Sequence, residues 1–151
     1  MCIFESNSIN MDDAKKQEIL AMCNAGCKNT LMETLDISFI DVGNDFITAK
    51  MPVTPKVHQP DGILHGGATL ALAETVGSIA AYVFVDRQKF VIRGLEISGN
   101  HLKSIKEGYV YATAKPIHKG RTTQLWEIKI NDDQKNLISL IKFTTISLPK
   151  K

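Results

Sequence analysis

Residues 64–85, LHGGATLALAETVGSIAAYVFV, form a long and almost continuous apolar stretch in the 151-residue chain. A histidine and a glutamate lie inside it, and a charge at bilayer depth is unfavourable, so we favour a core helix over a membrane span and expect no membrane partner. A helix that is apolar nearly all round belongs in the core of a soluble fold. Small residues along it would let a sheet pack closely: Ala68, Ala71, Ala73, Gly77, Ser78, Ala80 and Ala81.

Alternating apolar and polar residues predict β-strands on both sides of this helix. Two strands precede it and four follow it, mostly with short connections. The predicted strands cover residues 35–41, 46–53, 90–98, 108–116, 122–131 and 137–148. A run of strands with short connections favours an antiparallel sheet, and one buried helix beside that sheet predicts the α+β class.

A second helix is predicted near the N-terminus, over residues 12–27. Asp12 or Asp13 can cap its start, and Gly26 is a stop signal. Its predicted apolar stripe contains Ile19, Leu20, Met22 and Cys23.

Composition and charge are those of an ordinary globular domain. The chain is 44% hydrophobic and 23% charged, with a net charge of +2, and its basic residues are scattered, so we expect no nucleic-acid partner. Three cysteines, Cys2, Cys23 and Cys27, do not suggest a secreted disulfide framework, and the N-terminus does not resemble a signal peptide. We therefore expect a cytoplasmic location, ordinary thiols and no metal site.

Glu74 and the residues before it are the strongest candidates for chemistry. A carboxylate inside an apolar helix is costly to bury alone, and burial would make it a better base near neutral pH. His65-Gly66-Gly67 opens the same helix, where free N–H groups can polarise a carbonyl oxygen. Gln59, in the preceding loop, offers an amide donor. From the residues alone, a structural carboxylate, a hydrogen-bonded histidine and a solvated glutamine remain open as alternatives.

Two later segments are candidates for binding. Gly99 predicts a bulge or a close backbone approach, and the adjacent Asn100 and His101 can line a pocket or simply end a strand. The basic turn His118-Lys119-Gly120-Arg121 can hold a phosphorylated carrier or lie in solvent. The sequence contains no dinucleotide-binding or P-loop glycine motif and no Gly-x-Ser-x-Gly nucleophile elbow.

In their order and spacing, these residues resemble the hotdog-fold acyl-CoA thioesterases. Within that family they are most similar to the phenylacetate-degradation thioesterases, the 1,4-dihydroxy-2-naphthoyl-CoA hydrolases of the menaquinone pathway and the enterobactin-pathway proofreading thioesterase. The resemblance rests on Gln59, His65-Gly66-Gly67, Glu74-Thr75-Val76-Gly77-Ser78, Gly94-Leu95-Glu96-Ile97 and Asn100-His101. It covers residues 29–148, a single hotdog domain, and leaves residues 1–28 as an N-terminal helical extension.

The resemblance implies one long buried helix wrapped by a curved antiparallel sheet of about six strands. It further implies a homodimer as the minimal active unit, commonly paired into a homotetramer, with the active site between two chains. The reaction would be hydrolysis of an acyl-CoA to the free acid and CoA. No cofactor is implied, because coenzyme A is part of the substrate.

A catalytic role follows from the resemblance for each matching residue. Glu74 would activate water or attack the thioester itself, and Ser78 would help to place the water. Gln59 and the backbone of Gly66-Gly67 would polarise the thioester carbonyl. His65 would help to orient the substrate and the glutamine.

The binding residues implied by the resemblance lie later in the chain. His101 matches a pocket residue of the aryl-CoA branch, and Asn100 beside it is a second substrate-binding candidate. Gly120 and Arg121, together with Ser104, match the region that holds the pantetheine and nucleotide of CoA.

The sequence departs from relatives at Ser98-Gly99 and around Lys103-Ser104, near the expected pockets, so the acyl group is left open. An aromatic acyl-CoA is favoured. A non-catalytic acyl-CoA binding module and a hotdog-fold hydratase are the alternatives.

Overall fold

The computed structural model describes residues 11–84 and 89–150, which form three helices and one six-stranded antiparallel sheet. The helices are α1 (Asp13–Ala25), α2 (Leu31–Thr34) and α3 (Gly66–Phe84), with a 3-10 turn at Pro55–Val57. The strands are β1 (Ser38–Val42), β2 (Ile47–Pro52), β3 (Phe90–His101), β4 (Tyr109–Lys119), β5 (Thr123–Asn131) and β6 (Leu137–Pro149). The predicted α+β class is confirmed. Cys2, one of the three cysteines, lies outside the described residues.

The sheet has the strand order β1-β2-β4-β5-β6-β3, so β1 and β3 are its edges. β3 pairs with β6 along its length, from Phe90 opposite Pro149 to His101 opposite Ser139. The register of this pair shifts at Leu95, so the bulge lies there and not at Gly99. Gly99 shows the other predicted feature, a close approach, because a Cβ there would clash with the Ile141 side chain. The other long side of β3 faces no strand in the described part of the chain, and it offers a row of unpaired backbone groups.

One side of α3 packs against β2 to β6. Four of the predicted small residues, Ala73, Gly77, Ala80 and Ala81, are buried on that side. The closest approach of the helix to the sheet is at Gly77. A Cβ atom at Gly77 would lie 2.5 Å from Cδ1 of Phe143, so a larger residue would force the helix away from the sheet. The buried residues of α3 are Thr69, Leu72, Ala73, Val76, Gly77, Ala80 and Ala81.

The other side of α3 is open in the single chain, although the helix is apolar nearly all round. By length and composition alone, α3 is long and apolar enough to cross a membrane. In this fold, one of its sides packs against the sheet. Gly67 and Glu74 are exposed. The half-buried residues beside them are Ala71, Thr75, Ser78, Ile79 and Tyr82.

The N-terminal helix joins the same core. Asp12 caps α1 by accepting a hydrogen bond from the Lys15 N–H at 2.8 Å, and Gly26 follows its last residue. Ile19 and Cys23 of the predicted stripe are buried, whereas Met22 is 43% exposed. The division into residues 1–28 and 29–148 stays a prediction.

The short helix α2 was not predicted from the sequence. Thr30 caps it, with its Oγ1 accepting a hydrogen bond from the Met32 N–H at 3.2 Å. Asp36 then has a positive φ of 53°, which turns the chain before the first strand. For this reason β1 begins at Ser38 and not at residue 35.

Candidate active site

The first turn of α3 uses one of its two glycine N–H groups internally. Nδ1 of His65 accepts a hydrogen bond from the Gly67 N–H at 2.7 Å. The Gly66 N–H has no hydrogen-bond partner in the described part of the chain. Because the first N–H groups of a helix lack intrahelical acceptors, Gly66 is the glycine whose donor is available to a ligand.

The imidazole of His101 lies directly over Gly66. A Cβ atom on Gly66 would be only 2.7 Å from Nε2 of His101, so the glycine is what allows this approach. The other ring nitrogen, Nδ1, forms a 3.0 Å hydrogen bond with the hydroxyl of Ser139. The ring is therefore held between β6 and the start of the helix.

A cavity of about 230 Å³ opens at this end of α3. Its lining includes four of the predicted site residues, Gln59, Gly66, His101 and Ser104, and also Ser139. The amide nitrogen of Gln59 donates to Asp61 Oδ2 at 3.0 Å, which leaves a second amide hydrogen for a ligand. We call this the donor cavity, because its polar groups are chiefly hydrogen-bond donors.

Glu74 lies in a different place, on the open side of α3. It lines a cavity of about 390 Å³, which we call the acid cavity. Ser78 lines the same cavity one turn later, so the structure keeps these two predicted residues together. Most of the remaining wall is apolar or carries a methyl group: Thr30, Leu31, Met32, Ala71, Thr75 and Ile79.

The edge strand β3 passes beside the Glu74 carboxylate. A Cβ atom on Gly94 would be 3.6 Å from Oε1 of Glu74 and 3.0 Å from the Phe143 ring. The tight neighbour is therefore the Phe143 ring, while a Cβ would only touch the carboxylate at an ordinary contact distance. This explains a glycine in the Gly94-Leu95-Glu96-Ile97 segment.

The donor cavity and the acid cavity have no lining residue in common. Gly66 and Glu74 are eight residues apart on one helix, which separates their backbones by about 12 Å along its axis. Within one chain, the structure does not bring the carboxylate to the donors.

Two expectations need correction. Glu74 is exposed, so the single chain does not enclose its carboxylate in the core as the apolar stretch suggested. Asn100 does not join His101: successive strand residues point to opposite faces, and Asn100 pairs with Leu140 on the side away from α3. His101 faces α3 with its partner Ser139.

Gly120 and Arg121 lie at the opposite end of α3 from Ser104. They line a cavity of about 250 Å³ together with Phe84, the last residue of α3, and Lys119, whose Nζ lies 4.8 Å from the Phe84 ring centre. The β4–β5 turn is tight, because a Cβ on Gly120 would be 2.8 Å from a backbone oxygen. Since α3 is about 28 Å long, Ser104 and Arg121 cannot hold one nucleotide within a single chain.

Two features of the site were missed from the sequence. Ser139 was assigned only to a strand, although a polar residue on the core side of an apolar strand is a usable signal. Helix α2 supplies Leu31 and Met32 to the acid cavity, and its threonine cap was the available signal.

The two cysteines in the described part of the chain, Cys23 and Cys27, line neither cavity. Both thiols are buried and neither forms a disulfide, and Sγ of Cys27 donates to the Cys23 carbonyl at 3.4 Å. Burial, with a smaller contribution from Glu33, raises the pKa of the Cys27 thiol, which disfavours a thiolate. Among the described residues, no group of three or more His, Cys, Asp or Glu side chains could hold a metal ion.

Comparison with known proteins agrees with this geometry. The model of the Thioesterase superfamily matches residues 61–139. The 1,4-dihydroxy-2-naphthoyl-CoA hydrolase of Escherichia coli is 40% identical over 89% of this chain and 98% of its own length. The proofreading thioesterase EntH of Cronobacter turicensis is 43% identical over 80% and 87%.

Solved structures extend the comparison to the fold. A crystal structure of a mutant of thioesterase PA1618 from Pseudomonas aeruginosa superposes with a TM-score of 0.85 and 39% identity, over 87% of this chain and 94% of that one. Together with one long helix against a six-stranded antiparallel sheet, this likeness confirms the predicted hotdog fold.

Proposed function

The chain belongs to the thioesterase superfamily, and from this we propose that it hydrolyses an aromatic acyl-CoA to the free acid and coenzyme A, with Glu74 as general base or nucleophile. The observation that carries the proposal is the exposed carboxylate of Glu74 in a largely apolar cavity beside an unpaired sheet edge. An acid in that position can meet a substrate whose carbonyl is held elsewhere by N–H donors.

The complete site requires a second copy of the chain. Glu74 of one protomer would face the donor cavity of its partner, because the two halves are about 12 Å apart along α3 in one chain. The 12-residue edge strand β3, with Leu95 58% exposed, is the surface on which two copies would pair. We propose a homodimer as the active unit, with pairing of dimers into a homotetramer, in the cytoplasm.

In the proposed reaction, the donor cavity of one protomer binds the thioester carbonyl and Glu74 of the other protomer activates the water. Gly66 N–H and the Gln59 amide polarise the thioester carbonyl, and Glu74 takes a proton from water as the water oxygen bonds to the carbonyl carbon. The tetrahedral intermediate then collapses, the C–S bond breaks, and the CoA sulfur leaves and is protonated. If Glu74 attacks directly, a mixed anhydride forms first and water hydrolyses it.

The walls of the acid cavity support an apolar, flat acyl group. Leu31, Met32 and Ile79 offer hydrocarbon surface next to the carboxylate, and the cavity is about 390 Å³. The substrate in the name of the E. coli relative, 1,4-dihydroxy-2-naphthoyl-CoA, is of this class. We therefore propose aryl or hydroxyaryl thioesters as the preferred substrates, with menaquinone biosynthesis as one setting.

The CoA moiety would be shared between protomers. Arg121 and Gly120 would hold its nucleotide and phosphates from one end of α3, and Ser104 would lie near the pantetheine of a substrate in the donor cavity. Since these two positions lie at opposite ends of one helix, a dimer in which neighbouring helices run in opposite directions would bring them to the same ligand.

A panel of acyl-CoA thioesters, followed by thiol release, tests the proposal. We expect benzoyl- or naphthoyl-type thioesters to be hydrolysed faster than acetyl-CoA, and Glu74→Gln to lower kcat at least about 100-fold. Glu18→Gln is the matched control, because Glu18 lies on the surface in an ion pair with Lys15. Near-normal hydrolysis by Glu74→Gln, or no hydrolysis of any aryl thioester by the wild type, would contradict the proposal.

A single-turnover reaction in ¹⁸O-labelled water separates the two roles of Glu74. A general base transfers the label directly into the product acid. If Glu74 is the nucleophile and water attacks the Glu74 carbonyl carbon of the anhydride, the label stays in the Glu74 carboxylate after the first turnover, and mass spectrometry of the peptide detects it. If water attacks the acyl carbon, the label enters the product acid, and the anhydride is then detected by trapping it with hydroxylamine.

A further inference from the structure

We propose that Ser139 is a positioning residue that sets the tautomer of His101 and thereby makes its Nε2–H a donor to the thioester carbonyl. In this arrangement the Ser139 hydroxyl donates to Nδ1 of His101, and Nε2 carries the ring hydrogen into the donor cavity. The inference rests on the proposed thioester hydrolysis for its catalytic part.

The geometry places both ends of the imidazole in defined positions. Nδ1 is 3.0 Å from the Ser139 hydroxyl oxygen. Nε2 is the ring atom closest to Gly66, 2.7 Å from where a Cβ would be. The ring thus connects a buried residue of β6 to the start of α3.

The tautomer follows from the burial of Ser139. This residue is 1% exposed, and its hydroxyl has no other hydrogen-bond partner in the described part of the chain. If Nδ1 carried the hydrogen and donated to the hydroxyl oxygen, the buried O–H would have no acceptor, which is costly. If the hydroxyl donates to Nδ1, both groups are satisfied and the ring hydrogen is on Nε2.

The tautomer decides whether His101 helps or hinders the reaction. With its hydrogen on Nε2, His101 joins the Gly66 N–H and the Gln59 amide as a third donor at the donor cavity. A carbonyl oxygen there would gain negative charge in the tetrahedral intermediate, where fixed donors are most effective. The other tautomer would present a lone pair to the same oxygen and repel it.

The Gly67 N–H cannot take the place of the His101 donor, because His65 Nδ1 already accepts its hydrogen bond at 2.7 Å. The two histidines therefore differ in role. His65 caps the helix by accepting at Nδ1, whereas His101 lines the donor cavity and has its Nε2 next to Gly66.

Long-range ¹H–¹⁵N correlation spectra of histidine-labelled protein, recorded at about pH 8.5 where imidazoles are mostly neutral, read the tautomer directly. His101→Ala identifies the His101 signals among the four histidines. We expect the Nε2–H form with a hydrogen-bonded Nδ1 in the wild type and a mixture of forms in Ser139→Ala. The Nδ1–H form in the wild type, or identical His101 signals in Ser139→Ala, would overturn the proposal.

Kinetics test the catalytic part. We expect Ser139→Ala to lower kcat roughly three- to tenfold, the effect of losing one net hydrogen bond, with KM changed less than about twofold. Ser139→Thr keeps the hydroxyl and should retain kcat. Thr113→Val is the control, since it removes a hydroxyl hydrogen bond to Thr48 on the far face of the sheet.

An unchanged kcat in Ser139→Ala, or an equal fall in Thr113→Val, would overturn the catalytic role. Thermal unfolding of each variant checks that it is folded. These outcomes differ from failure of the proposed function, in which the wild type would hydrolyse no acyl-CoA. The NMR measurement of the His101 tautomer needs no turnover, so it would still test the role of Ser139.

Discussion

Replacing Gly66 by alanine should abolish most activity without destabilising the fold. The new Cβ would lie 2.7 Å from Nε2 of His101, and an ordinary contact begins at 3.4 Å. The ring must therefore move by about 0.7 Å, which exceeds the spread of about 0.5 Å in N–H···O hydrogen-bond lengths. The hydrogen bond to Ser139 and the alignment of Nε2 cannot both survive such a shift.

The expected magnitude follows from what is displaced. Loss of one preorganised donor costs about 10²–10³ in kcat, and misplacement by about 1 Å can cost about 10². We therefore expect a fall in kcat of about 100-fold. Gly66 does not have a positive φ, so alanine fits the backbone. Its higher helix propensity should offset the cost of the lost His101–Ser139 hydrogen bond, so we expect a melting temperature close to that of the wild type.

Steady-state hydrolysis of an aryl-CoA and thermal unfolding, measured on the same samples, check this prediction. Gly26→Ala is the matched control, because its Cβ would meet no heavy atom closer than 3.4 Å, and we expect normal activity. In a His101→Ala background the Gly66→Ala change should cost far less, since the clashing ring is gone. A kcat within threefold of the wild type in the single variant would refute the reasoning.

Three further predictions concern the rest of the chain. Arg121→Ala should raise KM for acyl-CoA about tenfold with little change in kcat. Hydrolysis of a short thioester that lacks the nucleotide should be unaffected. A lower kcat at constant KM would count against a contact between Arg121 and CoA. Leu95→Asp should give a monomer by light scattering with lost activity. Ile40→Asp, at a 40% exposed position on the other edge strand, should not. Hydrogen bonds from Asn136 lower the pKa of Asp132, so the ionised carboxylate stabilises the fold at pH values above the ordinary pKa of aspartate. Asp132→Asn should therefore lower the melting temperature at pH 7. The difference from the wild type should shrink below about pH 4.

Local patterns predicted most of the elements correctly. The alternating pattern predicted that Ile47, Ala49, Met51 and Val53 lie on one face of a strand. In the structure all four residues are in the core, and each is at most 5% exposed. Side-chain period depends only on the backbone conformation, so it can be read without knowing the neighbours. The start of β1 was wrong because Leu35 ends helix α2 and Asp36 turns with a positive φ, and neither is visible as periodicity.

The apolar helix shows the limit of prediction from local sequence patterns. The helix is apolar nearly all round, which predicts a place in the core. The sheet covers only one of its sides, and the remaining strip with Glu74 is left open in the single chain. A pattern of apolar residues reports that a surface avoids water. It does not report whether the same chain or a second copy covers that surface.

By itself, the sequence determined the long apolar helix, the strands on either side of it, and the residue types that can hydrolyse a thioester. The tertiary structure decided which of these groups meet: His101 and Ser139 at Gly66, and Glu74 beside Gly94, on separate cavities. The physical reason is that hydrogen bonds and close contacts join residues from distant strands. Their distances depend on register and on how closely a helix packs against a sheet, and neither is encoded in any local stretch of the chain.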